Sequence, residues 1–415
     1  MTTHGSPDSS GPHPTPVPAV DPALLRGLTQ PRLGRRGFLR LGGAAGVAAL
    51  LAACGVEGEK SNDSSGTAPE DFWDGKEKAG VLNFANWPLY IDVADDGSNP
   101  SLKKFEDEKG IKVTYREVIQ DNESFFATIR PQLAANQSTG HDLIVMTNGL
   151  QLDKLIALGY LAPLDLTKLP NFVKNADASV KNPAYDQGNK YTVAWQSGIT
   201  GIAYDPEKTG REITSYEDLF DPAFAGHVGM FGENQDLPNL ALVGMGIDPT
   251  TSTPDDWKKA ADKLTKQRED GIVRKYYVQD YIDPLAAGDL WITMAWSGDV
   301  FQQVAAGSNL KFVVPQEGAI LWTDNMCIPK TAEHPVDAIT YMDFAYEPEV
   351  AAMLADYINY ITPVQSAKSL VSPEIGESPL IFPSQEDLAN THRFRVLTTE
   401  EETEWNKIFQ PVYQS

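Results

Sequence analysis

The sequence predicts an α/β fold built as two lobes. Three observations predict it. Short apolar runs of strand length alternate with amphipathic helical segments from residue 81 to residue 158, the order of βαβ units and a parallel sheet. A second series of the same kind and size extends from residue 201 to residue 296. The hydrophobic share, 41% of 415 residues, is enough for two cores of ordinary domain size.

In the first series, residues 81–87 alternate and read as a buried strand. Residues 101–109 place Leu102 and Phe105 at helical spacing, with Gly110 as the stop signal. Residues 111–115 alternate again, and 125–135 are helical. His141 to Met146 is nearly continuous apolar, as in a central parallel strand. A helix over 150–158 ends at Gly159. The second series opens with strand pattern at 201–204, followed by a helix-cap signal at Thr214 and Ser215. It continues with a strand at 227–231, a helix at 254–267 and a strand at 273–278. A short helix at 283–288 and a strong strand at 290–296 close it. Beyond it, strands are predicted at 310–314 and 325–328, helices at 336–346 and 348–357, an extended stretch at 359–364 and a final helix from residue 400.

The first 53 residues stand outside this pattern. Residues 1–34 are rich in Pro, Gly, Ser and Thr with no apolar period, a composition that builds no core. Arg35 and Arg36 then precede an uncharged run over 41–53, too short to span a bilayer but the length of a signal-peptide apolar region. The pair resembles a twin-arginine export signal, and Leu51-Ala52-Ala53-Cys54 resembles the lipobox of bacterial lipoproteins, in which the cysteine receives the lipid. Segment 1–53 is therefore expected to be a signal peptide, Cys54 the lipidated residue, and 54–78 a flexible polar tether. The expected location is the outer face of the cell membrane or the periplasm. Cys327, the second of two cysteines, reads as a small buried apolar residue.

Charge and motifs narrow the function. Asp+Glu is 57 against Lys+Arg 34, a formal charge of −23, which excludes binding along a phosphate backbone and favours a cationic partner. The sequence contains no phosphate-binding loop, no dinucleotide fingerprint, no nucleophile elbow and no HExxH helix, so neither an enzyme nor a cofactor is expected. What recurs just past an expected strand end is a cluster of polar groups, three of the five with an aromatic residue: Trp87 and Tyr90, Thr147 with Asn148, Glu233 and Asp236, Trp296 with Asp299, and Trp322 with Asp324. Open α/β sheets bind ligands at strand ends. An indole face attracts an ammonium, and a carboxylate gives it a charge-assisted hydrogen bond. Such corners suit a polycation pocket; each taken alone also reads as a core tryptophan beside a helix-capping acid.

These segments resemble the spermidine/putrescine-binding proteins of bacterial ABC importers, from about Gly80 to the C-terminal helix. The resemblance rests on Asn86-Trp87-x-x-Tyr90 and on Asp142-Leu143-Ile144-Val145. It rests also on Gly288-Asp289-Leu290 leading to Trp296-Ser297-Gly298-Asp299, and on Pro315-Gln316-Glu317-Gly318-Ala319 leading to Trp322-Thr323-Asp324. It implies a two-lobed, type II periplasmic-binding-protein fold with the ligand in the cleft, lobe 1 comprising 79–195 plus 298–360 and lobe 2 comprising 196–297 plus 361–415. It implies that Trp87, Tyr90, Trp296, Trp322 and Tyr360 enclose the ligand chain, that Thr147 lines the pocket, and that Glu233 or Asp236, Asp299 and Asp324 receive ammonium groups. A membrane permease is the implied partner of a monomeric receptor. Gly149 departs from the pattern, standing where some members carry an aromatic residue. Two other ligands remain open: a quaternary amine, and ferric ion, for which Tyr276-Tyr277 would supply phenolates.

Overall fold

A computed structural model describes residues 69–414. The export signal at Arg35 and Arg36, the rest of segment 1–53, Cys54 and the tether as far as residue 68 lie outside the described residues. Within the expected tether, Pro69–Trp73 is a helix. Trp73 is buried and its indole Nε1 donates to the Pro163 carbonyl at 2.8 Å, so residues 69–73, expected to be tether, pack on the fold.

The described chain builds one mixed sheet. Its strands are β1 (Val81–Asn86), β2 (Lys112–Glu117), β3 (Leu143–Thr147), β4 (Thr192–Tyr204), β5 (Val228–Phe231), β6 (Val273–Tyr277), β7 (Ile292–Trp296), β8 (Lys311–Val313), β9 (Ala319–Cys327) and β10 (Thr391–His392). The order is β2-β1-β3-β9-β4-β7-β5-β6, with β8 on β4 and β10 on β9. Each end of the sheet is parallel, β1 with β2 and β3, and β5 with β6 and β7. The middle is antiparallel: β9 lies between β3 and β4.

Every residue of β4 and of β9 is buried, polar ones such as Gln196, Ser197, Asp324 and Asn325 included, so neither strand shows alternation and only their ends, 201–204 and 325–328, were expected as strand. The two pair from Thr192 opposite Cys327 to Thr200 opposite Ile320, with an irregularity between Ala194 and Gln196. The first end of the sheet is therefore joined to the second by two long strands. A third connection lies beside them, where Ser197 and Ile361 exchange backbone hydrogen bonds of 2.9 and 2.8 Å. Most strands of the sheet contribute to one large hydrophobic cluster, with two smaller ones beside it.

The local signals place the helices. Pro100–Lys109 starts with Pro at its first turn and ends at Gly110 in the left-handed conformation, φ 63°. Pro254–Glu269 opens with a capping box between Thr253 and Asp256. Three features differ from the sequence reading. The strand expected at 325–328 is the end of the nine-residue β9, so Trp322 and Asp324 lie inside a strand rather than past its end. Asp236–Gly244 is a helix buried on all sides, and such a helix shows no amphipathic period. Ser297–Ala305 is also a helix, and it packs on β4, β7 and β8.

Candidate functional site

Three carboxylates from three elements meet where the two ends of the sheet join. Asp324 comes from β9, in register with Thr147 of β3. Thr147 Oγ1 donates to its Oδ1 at 2.6 Å, and Tyr90 OH donates to its Oδ2 at 2.7 Å. Thr147 is itself fixed by Asn122, which donates to its hydroxyl at 2.9 Å and accepts its backbone N–H at 3.1 Å. Tyr90 is delivered by a loop that Asn86 folds back on itself: the Asn86 side chain accepts from Trp87 N and donates to Tyr90 O. Leu89, inside that loop, takes φ 58°, a conformation costly for a side chain with a Cβ.

Asp236 opens the buried helix Asp236–Gly244. Thr200 Oγ1 of β4 donates to its Oδ1 at 2.5 Å and Trp296 Nε1 to its Oδ2 at 3.1 Å. Trp322 Nε1 in turn donates to Thr200 Oγ1 at 3.0 Å. Asp299 sits in the first turn of Ser297–Ala305 and accepts from two phenols, Tyr281 and Tyr360, each at 2.9 Å. The close approach of Tyr360 depends on Gly298, where a Cβ would stand 2.4 Å from the ring. The Tyr360 ring is 5.5 Å from both Tyr90 and Trp322, and Trp296 is 4.6 Å from Phe231. Aromatic rings thus run from one carboxylate to the next.

The electrostatics follow from burial. Asp324 and Asp236 are 5% and 7% exposed. Desolvation pushes each carboxyl up to about 6, against the opposing pull of the hydroxyl and indole donors, and Asp236 adds to the rise at Asp324. The phenols of Tyr90, Tyr281 and Tyr360 are raised well above their ordinary value by burial first and by neighbouring carboxylates next, so they stay protonated and donate. Neutral donors of this kind satisfy lone pairs without cancelling charge, so the group is poised to take up a cation.

Of the side chains that the sequence pointed to, the structure brings together Tyr90, Thr147, Asp236, Trp296, Asp299, Trp322, Asp324 and Tyr360. Trp87 lies at the edge of the group, half-buried, its Nε1 bonded to Val145 O at 3.1 Å. Glu233 serves a different purpose: its two oxygens accept the backbone N–H groups of Gln235 and Leu237 at 2.7 and 3.0 Å. It is a cap for the helix that carries Asp236, and burial together with Asp236 pushes its carboxyl up to about 8. Tyr276 and Tyr277 lie on β6 at the far edge of the sheet, while the tyrosines bonded to Asp324 and Asp299 are Tyr90, Tyr281 and Tyr360. Sequence reasoning missed Tyr281, Thr200 and Asn122. Tyr281 follows a strand end, as the recognised corners do, but without an adjacent tryptophan it gave no signal.

A sheet of two parallel ends, bridged by long strands over a buried carboxylate and aromatic group, is the build of a solute receptor. Known proteins agree. The family of bacterial extracellular solute-binding proteins matches residues 138–391. Spermidine/putrescine-binding periplasmic protein 1 of Haemophilus influenzae is 31% identical over 347 residues, 83% of this chain and 90% of that one. A putrescine-binding periplasmic protein of Escherichia coli is 30% identical over 336 residues, covering 76% and 86%. A solved structure described as a putative spermidine/putrescine ABC transporter from Listeria monocytogenes superposes with a TM-score of 0.71 at 27% identity, covering 80% of this chain and 99% of that one. The chain belongs to the bacterial extracellular solute-binding proteins, which have two lobes and are transport proteins rather than enzymes. Within that family its relatives are the spermidine/putrescine-binding proteins of ABC importers.

Proposed function

We propose that this chain captures a linear polyamine, spermidine or putrescine, between its lobes and delivers it to an ABC permease. The observation that carries the reading is the set of three carboxylates, Asp236, Asp299 and Asp324, held by hydroxyl and indole donors among aromatic rings. The carboxylates take the ammonium groups, two in the diamine and three in the triamine, while Tyr90, Trp296, Trp322, Tyr360 and Trp87 at the edge enclose the methylene chain. A closed cleft of low dielectric strengthens every ion pair in it. Hinge bending about β4, β9 and the stretch at Ile361 admits and releases the ligand.

The packing supports a revised division of the lobes. Residues 298–318 go with the second lobe, because Ser297–Ala305 and β8 pack on the C-terminal half of β4. Residues 363–369 go with the first, because Pro363 O accepts from Asp177 N and Gln365–Ser369 packs on the helix Pro348–Ile358. The helix Thr399–Tyr413 stays with the second lobe, its Trp405 ring 5.1 Å from Trp257.

The arginine pair and lipobox support export followed by anchoring through a lipid on Cys54. Among the described residues no helix is long and apolar enough to cross a membrane. Cys54→Ala should abolish lipid labelling, and replacing Arg35 and Arg36 by lysine should leave precursor inside the cell.

Calorimetry on refolded, ligand-free protein tests the ligand. Putrescine or spermidine should bind with saturable heat. Choline should bind far more weakly, because its nitrogen carries no N–H for the carboxylates, and ferric ion should give no saturable signal. Absence of binding by every linear diamine and triamine rejects the reading; tight ferric binding replaces it.

A further inference from the structure

Gln235 lies outside the carboxylate group, yet it spans the cleft. Its Nε2 donates to Asn148 O at 2.8 Å and its Oε1 accepts from Leu150 N at 3.3 Å. Both polar atoms of the side chain are therefore spent on the loop that follows β3, on the opposite side of the cleft. That loop is rigid: Asn148 N donates to Thr323 O at 2.9 Å, and Thr323 N donates to Asn148 Oδ1 at 2.7 Å. Asn148 and Gln235 are both buried, 6% and 8% exposed.

Between them stands Gly149, at φ 119° and ψ −152°. A Cβ there would lie 2.5 Å from Gln235 Oε1 and 2.7 Å from its Cδ. Gln235 in this seat and any side chain at 149 exclude one another. The next residue along from Gln235 is Asp236, so seating the glutamine also fixes how far Asp236 stands from Asp324 across the cleft. A second tie crosses nearby, the ion pair of Lys154 with Glu402, partly exposed at the lysine.

We infer that Gln235 seated on Gly149 is a closure latch, a positioning residue that sets how long the cleft stays shut without touching the ligand. Its effect on ligand release rests on the polyamine reading; its effect on the empty protein does not. The latch consists of protein–protein hydrogen bonds, so it also lets the empty chain visit the closed form. Most of such a contribution falls on the dissociation rate, because the bonds form after encounter.

The test uses the full chain and two probes, putrescine and spermidine, followed by stopped-flow tryptophan fluorescence. Gln235→Ala should raise the dissociation rate roughly five- to tenfold, about what one or two neutral hydrogen bonds supply, by the same factor for both amines. The association rate should stay within about twofold. Gly149→Ala should speed dissociation in the parent and do so far less in the Gln235→Ala background, where the Cβ meets no side chain; the backbone strain at 149 is common to both backgrounds and cancels in the cycle. A dissociation rate unchanged by Gln235→Ala overturns the latch. So does a loss confined to one amine, which would make Gln235 a wall of the ligand pocket, and so does full additivity of the two substitutions. If the parent binds neither amine, the polyamine reading has failed and the latch is judged on ligand-free scattering. There Gln235→Ala should enlarge the radius of gyration, and an identical radius overturns it.

Discussion

The two ends of β3 each hold a buried aspartate, and they are built in opposite ways. Asp142, just before the strand, accepts four hydrogen bonds, from the backbone N–H and side-chain amide of Asn83 and from the backbone N–H and Nδ1 of His334. Asp324, beside the last residue of the strand, accepts from two hydroxyls only, Thr147 and Tyr90. Backbone amides bind a carboxylate to the fold and cannot be redirected. Hydroxyls rotate, and two of them leave more of the carboxylate's lone pairs unpartnered than four donors do. The difference separates a carboxylate that holds strands together from one that, on the proposed reading, takes an ammonium group.

Removing each charge should break the comparison in a different observable. The largest effect belongs to the cleft. Asp324→Asn or Asp299→Asn should weaken polyamine binding by a factor of hundreds or more, since an unpaired buried cation costs about 3–5 kcal/mol, while the ligand-free melting temperature stays level or rises. Parent-like affinity in both variants would show that these carboxylates only hold structure. Asp142→Asn should do the reverse. Its new NH2 group faces N–H donors, at a cost of about 1–3 kcal/mol, so denaturant midpoints should fall while the affinity of folded protein stays within twofold. Trp296→Leu should cost less than either cleft acid, about 0.5–2 kcal/mol of cation–π attraction plus lost packing, read by calorimetry.

The smallest effect is a pH slope. Burial pushes the carboxyls of Asp236 and Asp324 up to about 6, above the ordinary carboxyl value, so without ligand the native state holds protons that an ammonium group must expel. Affinity should therefore rise from pH 5 to pH 7.5, and binding at pH 6 should release protons, seen as a dependence of the heat on buffer ionisation enthalpy. The same shift has the opposite sign for folding. The unfolded chain loses these protons near pH 4, so the contribution of both groups to stability falls as pH rises from about 4 through 6. Proton uptake on binding would contradict the assignment. Glu400, exposed at the start of the last helix, is the control, and Glu400→Gln should leave affinity and stability unchanged. Glu401 is unsuitable for that purpose, being tied to Arg395 and to the Thr398 cap.

Much of this was legible in the sequence because it is local. Alternation pointed to β1 and β2, helical spacing with a glycine stop pointed to Pro100–Lys109, and the tryptophan–aspartate corners pointed to Trp296, Asp299, Trp322 and Asp324. What was hidden depends on long-range burial. β9 was read only at its end because Trp322, Thr323 and Asp324 interrupt its apolar run with groups that face the cleft. The helix Asp236–Gly244 has no polar face to reveal its period. Glu233 looked like a ligand anchor because nothing in its neighbourhood distinguishes a carboxylate that caps a helix from one that faces a cleft. Gln235 carries no charge and no ring, and its importance lies in Gly149, 86 residues earlier.

The position of β9 also governs the order in which the chain can assemble. β3 and β4 are made first but do not pair with each other; the strand that joins them ends at residue 327. Until the ribosome has released that stretch, two buried strands present open edges along which other chains can add. The two parallel ends therefore cannot be joined through β9 until more than three quarters of the sequence has emerged.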